Sequence, residues 1–385
     1  MPVRGSELFF SFYGFYLTKY TTPTDLVINF LFKIHRFYPD YNCLPLVQLM
    51  GMENTGTEHP IDIVVAWVNG EDPILKKKRM RYLNQNEDSV PPGAAPTRFH
   101  SLNEIEYCVL SIFKFAPFVR KVFIVTDQQN PEIDEVVKRY FPNRLQDVSI
   151  VDHTEIFRGY EEFLPTFNSI CISNMLWRIK GLADHFVYFN DDIFLLRPVQ
   201  PTDWFIDQKP VLRGKWRFPP YERLLWDSLK EGVKRIFAPE SKNERVASFQ
   251  VNQWNAAQQL GFTFRYFRSG HTPLAMRKTT LEKYFTAHPE RLKKNISFRF
   301  RNYVQFNTVA LANHLEIKTG NKNHKTSQAL YLQPHNRGKE YVAFKFNRAL
   351  REENLLFICV QSLDLATHED QEAVLQRMKS ILELQ

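Results

Sequence analysis

The side chains best equipped for chemistry in this 385-residue sequence are two adjacent carboxylates, Asp191 and Asp192. They follow an aromatic and β-branched run, His185-Phe186-Val187-Tyr188-Phe189-Asn190, which reads as a buried strand. A second apolar pulse, Ile193-Phe194-Leu195-Leu196, and then Pro198 come after them. In open α/β sheets, ligands bind outside the carboxyl ends of the strands. Carboxylates placed there can hold a divalent cation against a diphosphate, or orient an attacking hydroxyl. Asn and Asp are also ordinary turn residues, so the pair gains chemical meaning from what stands beside it.

Two more strands end the same way. Ile61-Asp62-Ile63-Val64-Val65-Ala66-Trp67 runs into a turn holding Asn69, Gly70 and Asp72, and Lys121-Val122-Phe123-Ile124-Val125-Thr126 ends at Asp127. Three such ends on one edge of one sheet make the geometry of a nucleotide-diphosphate site. The sequence has neither a P-loop nor GxGxxG, so cationic side chains must hold the phosphates. Arg98, Arg299 and Arg301 are candidates, because a guanidinium fork matches phosphate oxygens; each could equally form a surface ion pair. His271, between Gly270 and Thr272-Pro273, sits in a loop from which a general base can reach a substrate hydroxyl; a structural role is the competing assignment. His314, His324 and His335 lack paired metal spacing.

The elements that must position these groups alternate. Ser101-Leu102-Asn103-Glu104 is a capping box, and Leu102, Ile105, Val109 and Ile112 give the following helix an apolar face. Residues 148–151 predict a third strand, and Ile172, Met175, Leu176 and Ile179 an amphipathic helix leading to the Asp191-Asp192 strand. Strand–helix alternation in this order predicts an α/β fold with a mostly parallel, Rossmann-like sheet and helices on both faces. Residues 205–260 predict an aromatic, basic insertion of short helical pieces, and residues 298–314 an apolar helical stretch. Residues 1–50 read as a helical extension capped at Asp25, residues 51–340 as the main α/β domain, and residues 341–385 as a helical segment capped at Thr367.

Composition bounds the rest. With 44% apolar and 24% charged residues, the chain is of ordinary globular composition, and 33 Phe with 16 Tyr allow a well-packed core. Four scattered cysteines suggest neither a disulfide framework nor a zinc site, and fit a reducing compartment. The net charge of +8 suits anionic partners without choosing among them. The amino terminus lacks a signal-peptide layout, and the most apolar early segment, residues 26–32, is far short of the ~20 residues that span a bilayer.

The motifs together resemble the Stealth proteins, sugar-1-phosphate transferases that include bacterial capsular polysaccharide polymerases and the catalytic subunit of the lysosomal-enzyme GlcNAc-1-phosphotransferase. Residues 61–73 resemble the first block; Arg98-Phe99, Glu104, residues 111–129, Leu164-Pro165-Thr166-Phe167-Asn168-Ser169, Gly181-Leu182 and residues 188–192 the second. His271 with Pro273 is similar to the third, and residues 298–307 with Arg301 to the fourth, so the match runs in order from about residue 61 to 320. Departures are Ala66 in place of the usual Thr, Asn103 in place of an acid, Ser173 in place of Glu, and Asn302 and Gln305 at positions often acidic or His.

The resemblance implies a GT-A-like sheet and an enzyme that moves a hexose- or N-acetylhexosamine-1-phosphate from a UDP-sugar to a glycan hydroxyl. UMP leaves and a phosphodiester-linked polymer forms. The alternative is a metal-dependent UDP-sugar glycosyltransferase that releases UDP. In the first scheme His271 is the base, with Asp192 or Asp191 as competitor, and Arg98 and Arg301 neutralise phosphoryl charge. Asp191 and Asp192 hold Mg2+ or Mn2+, and Asp62, Trp67, Asn69, Gly70, Asp72, Asn168, Asn190 and Arg299 contact substrate. The implied partners are the UDP-sugar, a phosphoglycan acceptor and, peripherally, the inner membrane or capsule assembly proteins, with no nucleic acid. The implied location is the cytoplasm, at the inner face of the cytoplasmic membrane.

Overall fold

A computed structural model of the chain describes residues 59–83, 104–222, 225–226, 248–335, 337–338 and 340–384. The expected extension over residues 1–50, the start of the capping box and the loop carrying Arg98 lie outside the described residues. The strands that matter for the site are β1 (Ile61–Ala66), β2 (Val122–Thr126), β3 (Val148–Asp152), β4 (His185–Asn190), β5 (Ile193–Leu195), β6 (Lys215–Arg217), β7 (Tyr266–Arg268), β8 (Leu274–Arg277), β9 (Ala329–Leu332) and β10 (Phe357–Val360). The helices are α1 (Pro73–Tyr82), α2 (Glu104–Phe115), α3 (Asp134–Tyr140), α4 (Ser169–Met175), α5 (Phe249–Gln259), α6 (Lys278–Ala287), α7 (Pro289–Ile296), α8 (Thr308–Lys318), α9 (Tyr341–Arg351) and α10 (His368–Leu382).

The main sheet has the order β8-β4-β1-β2-β3, with β8 antiparallel and the other four parallel. Its central strands are near-continuous apolar runs because both faces are covered. Side chains alternate across β1: Ile61, Ile63 and Val65 pack with α2, α9 and α10 on one face, while Val64 packs with α4, α6 and α8 on the other. The register sets Ala66 beside Val125 of β2 and Asn190 of β4. Trp67, Asp127 and Asp191 therefore leave the sheet together at its carboxyl edge, as the three acidic strand ends predict.

A smaller sheet, β9-β10-β5, adjoins this edge. Its central strand belongs to the carboxyl-terminal segment, which is thus no helical appendage: β10 pairs with β5 and β9 while α9 and α10 flank it. The cap at Thr367 forms as expected, with the Asp370 backbone N–H donating to Thr367 Oγ1 at 3.2 Å.

Three other expectations are corrected. Among the described residues, the stretch 205–260 adds short strands between Phe205 and Arg217 to the expected helical pieces; its last strand, β6, pairs with β7 beyond the stretch, and its helix α5 starts at Phe249. Residues 298–307 are a loop, and α8 starts only where Asn307 caps it by accepting from the Ala310 N–H at 2.9 Å. The helix expected to run to Ile179 gives way after Met175 to a 3-10 turn over Leu176–Arg178.

Candidate active site

The carboxyl edge of the main sheet floors a cleft of about 590 Å3. Of the residues singled out from the sequence, Trp67, Asp127, Asn190, Asp191, Asp192, His271 and Arg301 line it. β4 delivers the acidic pair. Its last residue, Asn190, accepts a hydrogen bond from the Tyr188 hydroxyl at 2.9 Å, and the chain then turns directly into β5 of the second sheet. The turn is held from the far side: the Val360 N–H of β10 donates to the Asp192 carbonyl at 2.9 Å, and Cys359 Sγ lies 3.5 Å from Asp192 Oδ2. Asp192 Oδ1 is buried without a hydrogen-bond partner.

Burial pushes the Asp192 carboxyl up to about 6. Asp191 is pushed well above the usual carboxylate range, by burial first and then by the negative charges of Glu104 and Asp192. Three acidic groups thus share one corner of the cleft, where Asp191 and Asp192 are both raised. That is how a protein prepares a place for positive charge or for proton transfer.

His271 lines the same cleft from the short connection between β7 and β8. Gln253 of α5 clasps this loop, its amide donating to the Ser269 carbonyl (3.1 Å) and its oxygen accepting from the Ser269 N–H (2.9 Å), and Thr272 Oγ1 donates to the Ser327 carbonyl at 3.0 Å. The imidazole lies between Phe249, stacked at 5.0 Å, and Tyr331 at 5.3 Å. Burial and then the Arg301 charge lower its pKa from the ordinary 6.5, so it is neutral and able to accept a proton at pH 7.

Arg301 is carried by the 298–307 loop, and Nη2 donates to Ser169 Oγ at 2.6 Å. Gln305 organises that loop: its Oε1 accepts from the Asn302 N–H and from Asn168 Nδ2, both at 2.8 Å, and its Nε2 donates to the Asn295 carbonyl at 2.7 Å. Gln305, at a position often acidic or His in the family, is here a scaffold residue.

Six expected substrate contacts are placed elsewhere. Asp62 is 0% exposed at the amino end of β1, the wrong end of a parallel strand for a ligand. There it binds the Arg120 guanidinium through both oxygens (2.8 and 2.5 Å) and accepts from the Ala183 N–H at 2.7 Å. Asn69 braces its turn, accepting from the Glu71 N–H at 3.0 Å and exchanging two hydrogen bonds with Gln129. Gly70 is buried in that turn, and Asp72 caps α1 through the Leu75 N–H at 2.7 Å. Asn168 caps α4 and bonds Gln305 and the Phe298 carbonyl. Arg299 points away, donating to the Pro165 carbonyl at 2.7 Å with its guanidinium 4.4 Å over Tyr82.

Other lining residues were not singled out. Glu104, seen in the sequence as half of a capping box, reaches the acidic corner. His153, 5% exposed with an unpartnered Nδ1, follows β3 directly, and its position just past a strand end was the available signal. Gln361, Ser362 and Asp364 enter from the carboxyl-terminal segment, Ser362 in a left-handed conformation (φ 55°). Among the described residues, no helix is long and apolar enough to cross a membrane, and Cys108, Cys171 and Cys359 are buried and unpaired.

Comparison with known proteins decides the family. Residues 98–212 match the model of Stealth protein conserved region 2, which ends just past the acidic pair and β5. The capsular polysaccharide phosphotransferase fcs1 of Haemophilus influenzae is 38% identical over 272 residues, covering 68% of this chain and 68% of its own length. The chain belongs to the Stealth family. The exopolysaccharide phosphotransferase SCO6021 of Streptomyces coelicolor is 31% identical over 275 residues, 71% of this chain but only 46% of that protein, so the Stealth chain described here spans about half of the longer relative. Among solved structures the galactosyltransferase LgtC, in complex with donor and acceptor sugar analogs, is similar at 12% identity and a TM-score of 0.40, over 84% of this chain and 95% of its own.

Proposed function

We propose that this protein is a capsular or exopolysaccharide phosphotransferase. It moves a sugar-1-phosphate from a UDP-sugar to a hydroxyl of a growing glycan. The observation that carries the reading is one cleft, in a Stealth chain, holding a neutral imidazole, a guanidinium and a carboxylate pair. Phosphoryl transfer asks the protein for positioning and for neutralisation of charge on the non-bridging oxygens, and little else. His271 takes the acceptor proton as the hydroxyl oxygen bonds to the β-phosphorus. The bond from that phosphorus to the bridging oxygen breaks, and UMP leaves with the electron pair. Arg301, oriented by Ser169, faces the charge on the transferring group.

The acidic corner fits a divalent cation: Asp192 Oδ1 has no partner, and Asp191 is burdened by two neighbouring negative charges. Among the described residues no three His, Cys, Asp or Glu side chains are placed as a ready-made cage. Magnesium is commonly held by one or two carboxylates with substrate phosphates completing its shell, so Asp191 and Asp192 would hold it. When bound, it would neutralise charge on the diphosphate. Trp67 and Asn190 then border the donor, and peripheral contact with a membrane or assembly partner belongs to the same proposal.

Phosphorus NMR of the protein with UDP-GlcNAc, magnesium and a short phosphoglycan acceptor, repeated with other UDP-sugars, tests the assignment. The expected result is a new phosphodiester resonance with stoichiometric UMP. Release of UDP without a phosphodiester would overturn it in favour of glycosyl transfer.

A further inference from the structure

We propose that the β6–β7 ribbon is an acceptor track, a binding surface that guides an anionic, phosphodiester-linked glycan to His271. The inference rests on the function proposed above and adds where the polymer lies. The two strands pair antiparallel, with Lys215 opposite Arg268, Trp216 opposite Phe267 and Arg217 opposite Tyr266. With the residues at their outer ends they read Lys215-Trp216-Arg217-Phe218 and Phe264-Arg265-Tyr266-Phe267-Arg268, four cations and no acid.

The inner end of β7 continues into Ser269, Gly270 and His271, all of which line the cleft. At the outer end, Phe218 and Phe264 are 68% and 70% exposed and meet edge to face, their ring centroids 5.4 Å apart. Six residues lie between Phe264 and His271, a reach of about 20 Å in extended chain. That is room for several sugar units between the aromatic tip and the base.

Tyr266 and Phe267 are 1% exposed and seat the ribbon in the core, while its exposed groups, Phe218 and Phe264 at the tip with Lys215, Arg217 and Arg265, match such a polymer. Sugar rings offer apolar faces that stack on aromatic side chains, and the phosphodiesters between them pair with guanidinium groups. The Arg265 guanidinium, 4.8 Å over the Trp216 ring, shows the two kinds of group in register. The ribbon is also seated firmly: a Cβ on Gly214 would meet the Arg268 carbonyl oxygen at 2.5 Å and the Phe267 ring at 2.7 Å, so only glycine lets the strands approach. A lipid surface is the competing ligand for exposed aromatics among cations. Continuity with the catalytic loop favours the glycan.

The test uses the full chain and oligomers of N-acetylhexosamine 1-phosphate joined by phosphodiesters, of one to eight repeats, titrated calorimetrically without donor. In the wild type, affinity rises with length, by about tenfold or more, the equivalent of a well-stacked ring. The double variant Phe218→Ala/Phe264→Ala loses that rise while its single-repeat affinity stays within about twofold. Arg217→Gln/Arg265→Gln flattens the fall of long-oligomer affinity with salt. Affinity independent of length in the wild type, or identical profiles in wild type and the Phe variant, overturns the track. Binding to phosphatidylglycerol vesicles that the Phe variant loses, with oligomer binding intact, assigns the ribbon to lipid instead. UMP release with the single-repeat acceptor needs no ribbon, so the reaction itself is judged separately.

Discussion

Asp192→Asn should relieve a cost that the fold bears only when this carboxyl is ionised. The group is raised from 3.8 to about 6 by burial, so it is protonated in the folded chain at pH 4.5 and ionised at pH 7.5, but largely ionised in the unfolded chain at both. Between those limits the unfolded state binds fewer protons, and stability must fall as pH rises through the folded value. From pH 4.5 to about 6 the loss is about 2 kcal/mol, at 1.36 kcal/mol for each pH unit. Asn cannot ionise and escapes it. The amide brings a fixed penalty of its own, because it places an N–H where Oδ1 has no partner. That penalty is the same at both pH values and cancels when the change is compared rather than the absolute stability. The assay is urea unfolding of wild type and variant, with chelator present, at pH 4.5 and 7.5. The stability of the variant relative to wild type should rise by about 2 kcal/mol between the two. A relative stability that is flat with pH, or falls, would refute the picture of a burdened carboxylate.

Three further predictions concern His271, Asp62 and Gly214. His271→Ala should lower kcat by about 10²- to 10⁴-fold, the usual yield of a positioned base, while donor affinity measured by calorimetry is retained; a parallel loss of donor binding would give His271 a different role. Asp62→Ala removes the partner of Arg120, which is 40% exposed and can return to water, so a destabilisation of about 2 kcal/mol is expected with kcat unchanged. Turnover lost in a stably folded Asp62→Ala protein would restore Asp62 to the substrate site. Gly214→Ala should push β6 off β7 and weaken long oligomers more than single repeats in the titration above; equal binding of both lengths to variant and wild type would show that the ribbon tolerates the methyl group.

What the sequence made legible was whatever depends on short-range pattern. The apolar runs of β1, β2 and β4 and their polar ends announce a parallel sheet and its ligand edge, and Thr367 announces the start of α10. Asp62 shows where pattern needed a direction: it lies in the right strand, but at the end where a parallel sheet does not bind ligands. Asn69 and Asp72 are the strand-end residues that proved to be plain turn and cap formers, as their types equally allowed. Phe357-Ile358-Cys359-Val360 is too short a run for periodicity to tell strand from helix. Its pairing is set by β5 and β9, the former more than 160 residues away in the sequence. The loop carrying Arg301 was out of reach for a similar reason, since Gln305 fixes it through partners as distant as Asn168.

That distant strand explains why Asp191 and Asp192 are not ordinary turn residues. A turn between two strands is normally solvated, and its carboxylates titrate as they do in water. Here β4 belongs to one sheet and β5 to another, so the turn is the crossing point of both and is closed from outside by β10, with Cys359 opposite Ile193 and the Val360 N–H on the Asp192 carbonyl. Burial follows from the crossing, and the raised pKa values follow from burial. The packing of two apolar sheets therefore supplies the free energy that keeps negative charge in an unfavourable place. A ligand that brings positive charge to this corner recovers part of that cost on binding, which gives the cleft a reason to select it.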